Sequence, residues 1–125
     1  MILGLGTDVV NIERFDRLIG KYGSRLAEKI LCGDEIEQYN KVRDKAAFLS
    51  KRFAAKESVV KAMGTGFRNG IVKKDINIVH DELGKPVVKV QGEVKSRLDS
   101  LGVNSVWISI SDDSGYAVAT VILER

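Results

Sequence analysis

Glu57 and Lys61 are the residues of this sequence whose types and spacing most directly suggest chemistry, because a helix would hold them one turn apart. The segment around them contains no proline, and no glycine before Gly64, so it is predicted to be helical. Its apolar residues recur every three or four positions: Leu49, Phe53, Val60 and Met63. The carboxylate and the ammonium would lie at the border of that apolar stripe. The spacing fits either a functional pair or an ordinary surface pair worth a few tenths of a kcal/mol.

A second candidate carboxylate, Asp8, closes a short apolar segment that is interrupted by Gly4 and Gly6. This pattern predicts a strand that ends near Asp8. A carboxylate at the end of a buried strand is costly unless a helix N-terminus, a base or a metal ion pairs with it. Asp8 could cap the next helix, but Asn11 stands immediately before Ile12 and is better placed for that role. Asp8 is therefore a candidate partner for a cation.

A helix is predicted from about Ile12 to Ala27, and basic residues recur along one of its faces. Their spacings are three, four and four residues: Arg14, Arg17, Lys21 and Arg25. Such a row is typical of an ordinary solvated helix face. The other interpretation is a surface that docks an acidic helix, where complementary charge raises the association rate more than the affinity.

The glycine-rich stretch 64–70 is a candidate phosphate-binding loop, because glycines let backbone N–H groups approach an anion closely. A plain helix C-cap would also explain Gly64. Upstream, Asp34 with Glu37 predicts a capping box at the start of the helical stretch that leads to this loop. That stretch is predicted to be one long helix, or two helices that meet near residues 40–44.

The second half of the sequence is predicted to contain mostly short strands. The elements are a hairpin of strands at 71–79 and 86–90, a helix at 92–101, and a closing hairpin of strands at 107–111 and 116–123. The predicted fold class is α+β, with one small antiparallel sheet, built from the N-terminal strand and both hairpins, packed on the long helix that ends at Met63. His80 is the only histidine and is predicted to be a turn residue.

Composition excludes several classes of protein. With 125 residues, 44% of them hydrophobic and 30% charged, the chain is expected to form a single globular domain over residues 1–125. It has one cysteine, no apolar run of about 20 residues and no signal-peptide pattern, so a cytoplasmic protein without a membrane segment is expected. The net charge of +3 indicates an anionic partner. Nucleic acid is not the expected partner, because aromatic and basic residues are not interleaved.

Several of these segments together resemble a known family. The chain is similar to bacterial holo-acyl-carrier-protein synthases of the 4'-phosphopantetheinyl transferase superfamily. The similar segments are residues 6–10 (GTDVV) leading into 12–15 (IERF), residues 52–58 (RFAAKES), Lys61 with Ala62, and residues 64–66 (GTG). Residues 84–86 (GKP) and the strand with residues 109–111 (SIS) also fit. That family commonly has a histidine directly after this strand, where the chain has Asp112. An acid there would repel phosphate unless a cation intervenes.

The resemblance implies a 4'-phosphopantetheinyl transferase-like fold, assembled as a homotrimer with sites between subunits. It implies transfer of phosphopantetheine from coenzyme A to a serine of apo acyl carrier protein, in support of fatty acid biosynthesis. Mg²⁺ would be held by Asp8 and Glu57, and Lys61 would complete the catalytic set by steadying a phosphate. The residues implied to contact coenzyme A are Lys61, Gly64, Gly66, Gly84, Lys85 and Pro86. Those implied to contact the carrier protein are Arg14, Arg17, Lys21 and Arg25.

Charge alone supports a second hypothesis, a noncatalytic basic module that binds nucleotide or RNA. Such a module would not depend on Asp8 or Glu57, whereas a magnesium-dependent transferase would lose its turnover if either carboxylate were replaced. Substitution of these two residues therefore separates the hypotheses.

Overall fold

Five helices and five strands follow one another in the structure, a computed structural model that describes residues 1–125. In chain order they are β1 Ile2–Asn11, α1 Ile12–Tyr22, α2 Ser24–Ile30, α3 Gly33–Lys41, α4 Lys45–Met63, β2 Ile76–His80, β3 Pro86–Val90, α5 Gly92–Leu101, β4 Ser105–Asp113 and β5 Tyr116–Glu124. A 3₁₀ turn, Lys73–Asp75, precedes β2. None of the helices has both the length and the apolar character needed to cross a membrane. The predicted α+β class is confirmed.

The strands form two antiparallel sheets instead of the single sheet that was predicted. Strands β1, β5 and β4 pair in that order, and β2 pairs only with β3. The prediction that both hairpins join the N-terminal strand is therefore wrong, since β3 lies beside β4 without entering its ladder. Alternation of apolar and polar residues identifies a strand and its two faces, but it does not identify the neighbouring strand.

Strand β1 lies directly on α4 because it has glycine where it meets the helix. A Cβ atom at Gly6 would collide with the carbonyl oxygen of Ser58 and would lie 2.7 Å from the amide nitrogen of Ala62. A Cβ atom at Gly4 would collide with the carbonyl oxygen of Ala62. Alternate residues of a strand share a face, so Asp8, two residues beyond Gly6, is directed to the same helix.

The central strand β5 closes the core against the same helix. Its residues on the α4 side are fully buried: Ala117, Ala119, Val121 and Leu123. The hydroxyl of Ser58 donates a hydrogen bond to the carbonyl of Ala119 at 3.0 Å. The opposite side of this sheet, which we call the outer face, carries exposed apolar residues from all three strands: Leu5, Val9, Trp107, Tyr116 and Val118.

A buried ionic network joins the helices below the sheet. The ammonium of Lys56, fully buried, donates to Glu35 Oε1 at 2.6 Å and to the carbonyls of Ile30 at 2.7 Å and Lys73 at 3.1 Å. The other oxygen of Glu35 lies 3.2 Å from Nε of Arg52. Burial lowers the pKa of Lys56, and the charge of Glu35 opposes that effect. Each buried charge therefore has a charged partner, as the low polarity of the interior requires.

Two predictions about helices and one about the end of a strand are wrong. The helix predicted over 12–27 is two helices, because the chain turns at Gly23 with φ of 60° and ψ of −141°, which L-residues rarely adopt. The capping residue of α3 is Glu35 instead of Glu37, since its carboxylate accepts from the N–H of Cys32 at 3.0 Å. Strand β1 continues beyond Asp8 to Asn11.

Other sequence predictions are confirmed by the structure. Asn11 caps α1, because its side-chain oxygen accepts from the N–H of Glu13 at 2.9 Å. Two helices, α3 and α4, meet near residues 40–44, and Gly64 caps α4 in the left-handed conformation. Helix α5 has the predicted bounds. The strand predicted from residue 71, however, begins only at Ile76, because the 3₁₀ turn occupies the preceding residues.

We expect Gly6→Ala to destabilise the protein by at least about 2 kcal/mol, because the new methyl group would meet the backbone of α4. Gly20→Ala is the matched control, since a Cβ at this position in α1 meets nothing within 4 Å. That control should gain about 0.5–1 kcal/mol from helix propensity. Urea unfolding at one protein concentration measures both changes, and equal midpoints for Gly6→Ala and the parent chain would contradict the close approach of β1 to α4.

Candidate functional site

Asp8 and Lys61 meet where β1 crosses α4. The ammonium of Lys61 lies 2.9 Å from Asp8 Oδ1 and donates to the carbonyl of Thr7 at 3.0 Å. The side chain of Asp8 is 15% exposed and that of Lys61 is 51% exposed, so the pair stands at the border between core and solvent. The second carboxylate oxygen, Asp8 Oδ2, is buried and has no hydrogen-bond partner. A buried acceptor without a donor is a place where a cation fits.

Glu57 lies one turn before Lys61 on α4 and is half-buried. It takes part in none of the ion pairs of the structure. No group of three or more His, Cys, Asp or Glu side chains is gathered anywhere in the chain. Two carboxylates suit Mg²⁺, which usually keeps several water or substrate oxygens in its coordination shell. Asp8 and Glu57 therefore fit this ion.

Part of the glycine loop after α4 forms the C-cap of that helix. The N–H of Gly64 donates to the carbonyl of Lys61, and the N–H groups of Thr65 and Gly66 donate to the carbonyl of Val60. These are the bonds of a helix C-cap. The first three N–H groups of the loop, at residues 64–66, are therefore not free for a phosphate, and any donors that the loop offers lie further along it.

The turn with Gly84, Lys85 and Pro86 lies elsewhere on the molecule. Gly84 and Pro86 line a cleft of about 280 Å³ together with Arg52 and His80. The ammonium of Lys85 lies 5.0 Å from the centre of the Trp107 ring. Gly64, in contrast, lines a different cleft with no residue in common. The two groups of residues implied to contact coenzyme A are thus not brought together in one cleft of a single chain.

His80 ends strand β2 and lines the cleft beside Gly84, so its assignment to a turn is wrong. Burial, followed by the positive charges of Arg52 and Lys51, lowers the pKa of His80. The imidazole is therefore neutral near pH 7. Sequence reasoning missed this position, because the packing of the β2–β3 hairpin against α4 brings His80 beside the basic residues of that helix.

Asp112, at the position where the family commonly has histidine, has a cation beside it. Its Oδ1 lies 3.6 Å from the ammonium of Lys51, another residue that the sequence did not single out. Because both side chains are about a third or more exposed, this pair contributes little to stability. The ammonium of Lys51 nevertheless offsets the negative charge of Asp112 beside the cleft that Gly84 and His80 line. At the N-terminus of α3, burial raises the pKa of the Cys32 thiol, which disfavours its thiolate form.

The predicted basic row does not lie on one helix. Arg14, Arg17 and Lys21 are exposed on α1, but Arg25 lies on α2, beyond the turn at Gly23. Arg17 is paired with Glu13 at 3.3 Å on the same helix. Arg14 and Lys21 have no carboxylate partner, so both are free to meet an acidic surface.

The comparisons with known proteins agree across the whole chain. Residues 4–121 match the model of the family described as the 4'-phosphopantetheinyl transferase superfamily. A protein of Vibrio parahaemolyticus named holo-[acyl-carrier-protein] synthase is 46% identical over 123 residues, which cover 98% of each chain. A protein of that name from Cronobacter sakazakii is 44% identical over 98% of each chain.

Solved structures are similar as well. The crystal structure of holo-[acyl-carrier-protein] synthase from Neisseria meningitidis has a TM-score of 0.92 and 39% identity over 100% of both chains. The Bacillus anthracis synthase in complex with CoA (3',5'-ADP) has a TM-score of 0.82 and 32% identity, covering 99% of this chain and 97% of that one. With its fold and nearly its whole length shared with these proteins, the chain belongs to the 4'-phosphopantetheinyl transferase superfamily and is an enzyme of that family.

Proposed function

We propose that this enzyme transfers the 4'-phosphopantetheine group of coenzyme A to a serine of apo acyl carrier protein and releases adenosine 3',5'-bisphosphate. The reaction would require Mg²⁺ and would support fatty acid biosynthesis in the cytoplasm. The observation that carries the proposal is the buried, unpartnered oxygen of Asp8, a residue that is paired with Lys61 one turn beyond Glu57. Relatives named for this reaction, and solved relatives bound to coenzyme A, support it.

Asp8 and Glu57 would hold the magnesium ion. When bound, the ion would neutralise negative charge on the diphosphate of the donor. Two of the three N–H groups of Lys61 already donate hydrogen bonds, one to Asp8 and one to the carbonyl of Thr7. The third N–H group would donate to a phosphate oxygen. The lysine thus acts as a point charge that is fixed in place before the donor binds.

The transfer forms one bond and breaks one. The serine oxygen of the carrier bonds to the phosphorus nearer the pantetheine, and the bridging P–O bond breaks, so adenosine 3',5'-bisphosphate leaves with the bond electrons. The serine proton goes to a water molecule or to a carboxylate of the site. His80 of the same chain is not its acceptor in this proposal, because it lies in the cleft beside Gly84 instead of beside Lys61.

Arg14 is the leading contact for the acidic carrier protein, and Arg17, Lys21 and Arg25 are lesser ones. Arg14 is exposed, and its guanidinium lies 5.7 Å from the ring centre of the buried Phe15. Contact with an aromatic ring limits the freedom of the guanidinium, so less entropy is lost when it pairs with a carboxylate. Arg17 would first have to leave Glu13.

The enzyme is proposed to be a homotrimer with its sites between subunits. The residues proposed to bind coenzyme A line two separate clefts, Gly64 in one and Gly84 with Pro86 in the other. A neighbouring copy would bring the second cleft to the first. The outer face of the sheet suits such assembly, because Leu5 and Val9 are 64% and 61% exposed there and an apolar face of this kind favours burial.

The activity is tested by the intact mass of apo acyl carrier protein after incubation with the enzyme and coenzyme A. A gain of one phosphopantetheine with Mg²⁺, and none with excess chelator, is expected. Asp8→Asn and Glu57→Gln should each lower the rate by at least about a hundredfold while the circular dichroism spectrum is retained. Asp99→Asn, at an exposed acid of α5, is the control and should keep full activity. A rate within a fewfold of the parent in either site variant would overturn the metal assignment.

The docking surface is tested by charge reversal. Arg14→Glu should raise the KM for the carrier protein about tenfold and leave the affinity for coenzyme A unchanged, since only the partner contact is altered. Lys41→Glu reverses an exposed charge at the end of α3 and should change neither value. Steady-state kinetics with each substrate varied in turn gives both numbers. An unchanged KM for the carrier in Arg14→Glu would remove Arg14 from the docking surface.

The trimer is tested by sedimentation velocity. The parent chain should sediment with three times the 13.8 kDa mass of one chain. Val118→Lys, in the middle of the outer face, should give single chains, because a buried unpaired ammonium is costly. Leu83→Lys changes an apolar residue that is 95% exposed at a hairpin tip, and it should leave the assembly intact. A parent chain that sediments as a monomer at micromolar concentration would refute this assembly.

A further inference from the structure

A broad cleft between α2 and the 3₁₀ turn carries four cations and one acid. Its volume is about 680 Å³, and it is lined by Arg25, Glu28, Lys29, Val72, Lys73 and Lys74. None of the six ion pairs of the structure involves any of these side chains. The excess of three positive charges equals the formal net charge of the whole chain, +3. The rest of the chain is therefore neutral on balance, and the excess charge of the protein is gathered in this basic cleft.

Folding brings these cations together without neutralising them. Arg25 and Lys29 lie one turn apart on α2, a spacing at which like charges repel each other. Lys73 and Lys74 are neighbours on the 3₁₀ turn at the other side of the cleft. Asp75, the acid of that turn, does not line the cleft. An anionic surface placed over the basic cleft would relieve this repulsion.

The buried ammonium of Lys56 fixes the two sides of the basic cleft relative to each other. It donates to the carbonyl of Ile30, the last residue of α2, and to the carbonyl of Lys73 in the turn. Lys29 directly precedes Ile30, so both sides of the cleft are anchored to one buried group. The cations are thus held near one another before any partner binds, and less conformational entropy is lost on binding.

Exposed apolar side chains stand beside these cations. Val72 lines the basic cleft and is 48% exposed. Tyr22, also 48% exposed, lines an adjoining cleft that shares Arg25 and Lys29 with the first. An aromatic ring with a polar tip and an aliphatic side chain among basic residues are typical of surfaces that lie in the headgroup region of a bilayer.

We infer that the basic cleft, together with Tyr22 and Val72, binds reversibly to the anionic surface of a phospholipid membrane. Three of its four cations are lysines, which anionic lipids attract as point charges, whereas lysine is depleted in protein–protein interfaces. Single-stranded nucleic acid would require several aromatic rings for base stacking, and this surface has one. The inference goes beyond the proposed transfer reaction and does not depend on it.

The test is co-sedimentation of the full-length enzyme with vesicles of equal parts phosphatidylcholine and phosphatidylglycerol, compared with vesicles of phosphatidylcholine alone. The parent should bind only the anionic vesicles, and more weakly as salt is raised, because salt screens exposed charges. Lys29→Glu with Lys74→Glu should bind about tenfold or more weakly than the parent. Lys73 is left unchanged, because its ammonium packs on the Phe67 ring at 4.0 Å from the ring centre.

The control variant carries Lys41→Glu with Arg43→Glu. It changes the net charge by the same amount, at two exposed cations that do not line the basic cleft, and it should bind the anionic vesicles as the parent does. Both lysines of the test variant are exposed, so its urea midpoint should not fall below that of the parent. Phosphopantetheine transfer to carrier protein in solution should also be unchanged in the test variant, because neither lysine belongs to the proposed transfer site.

Three results would overturn the inference. The first is a parent enzyme that binds neither kind of vesicle, or both kinds equally. The second is a Lys29→Glu, Lys74→Glu variant that binds the anionic vesicles as tightly as the parent. The third is a parent that binds no vesicles while this variant has a raised KM for the carrier protein, which would assign the basic cleft to the acidic carrier.

Discussion

The contact on which the site depends is the approach of β1 to the backbone of α4. No side chain at Gly4 or Gly6 holds the strand away from the helix, so Asp8 comes within reach of Lys61. Lys61 bonds the carboxylate and also the strand's own backbone. Because Glu57 stands one turn earlier on the same helix, both carboxylates are positioned relative to one rigid element. A site built on loops would hold them less accurately.

Local signals in the sequence predicted local structure well. The Asn11 cap, the helix at 92–101 and the left-handed Gly64 all follow from residues a few positions apart. The turn at Gly23 escaped prediction, because the basic and apolar periodicities continue across it and only the backbone angles reveal the break. The capping role of Glu35 was not predicted either. The same carboxylate also pairs with Lys56, 21 residues away, and that contact leaves no local pattern in the sequence. Periodicity cannot detect a residue that serves two distant partners.

The candidate site was predictable to the extent that its chemistry lies on one helix and one strand. Asp8, Glu57 and Lys61 were identified from spacing together with family resemblance, and the structure brings Asp8 and Lys61 together, with Glu57 one turn earlier on the same helix. The sequence did not indicate that Lys51 would stand beside Asp112, or that His80 would face the same cleft as Arg52. Those neighbours arise from the pairing of strands and from the way the β2–β3 hairpin lies against α4. Such relations depend on tertiary structure and leave no local pattern.

The buried network around Lys56 determines how the lower half of the molecule can open. Its hydrogen bonds reach the last residue of α2, the 3₁₀ turn, α3 and, through Glu35, the N–H of Ile78 in β2. If any one of these elements detached, a charge or a carbonyl would be left in the interior without its partner, at a cost of several kcal/mol. Short helices and two-stranded hairpins ordinarily fray one at a time. Here they are coupled into one cooperative unit, so this region is either closed as a whole or open as a whole.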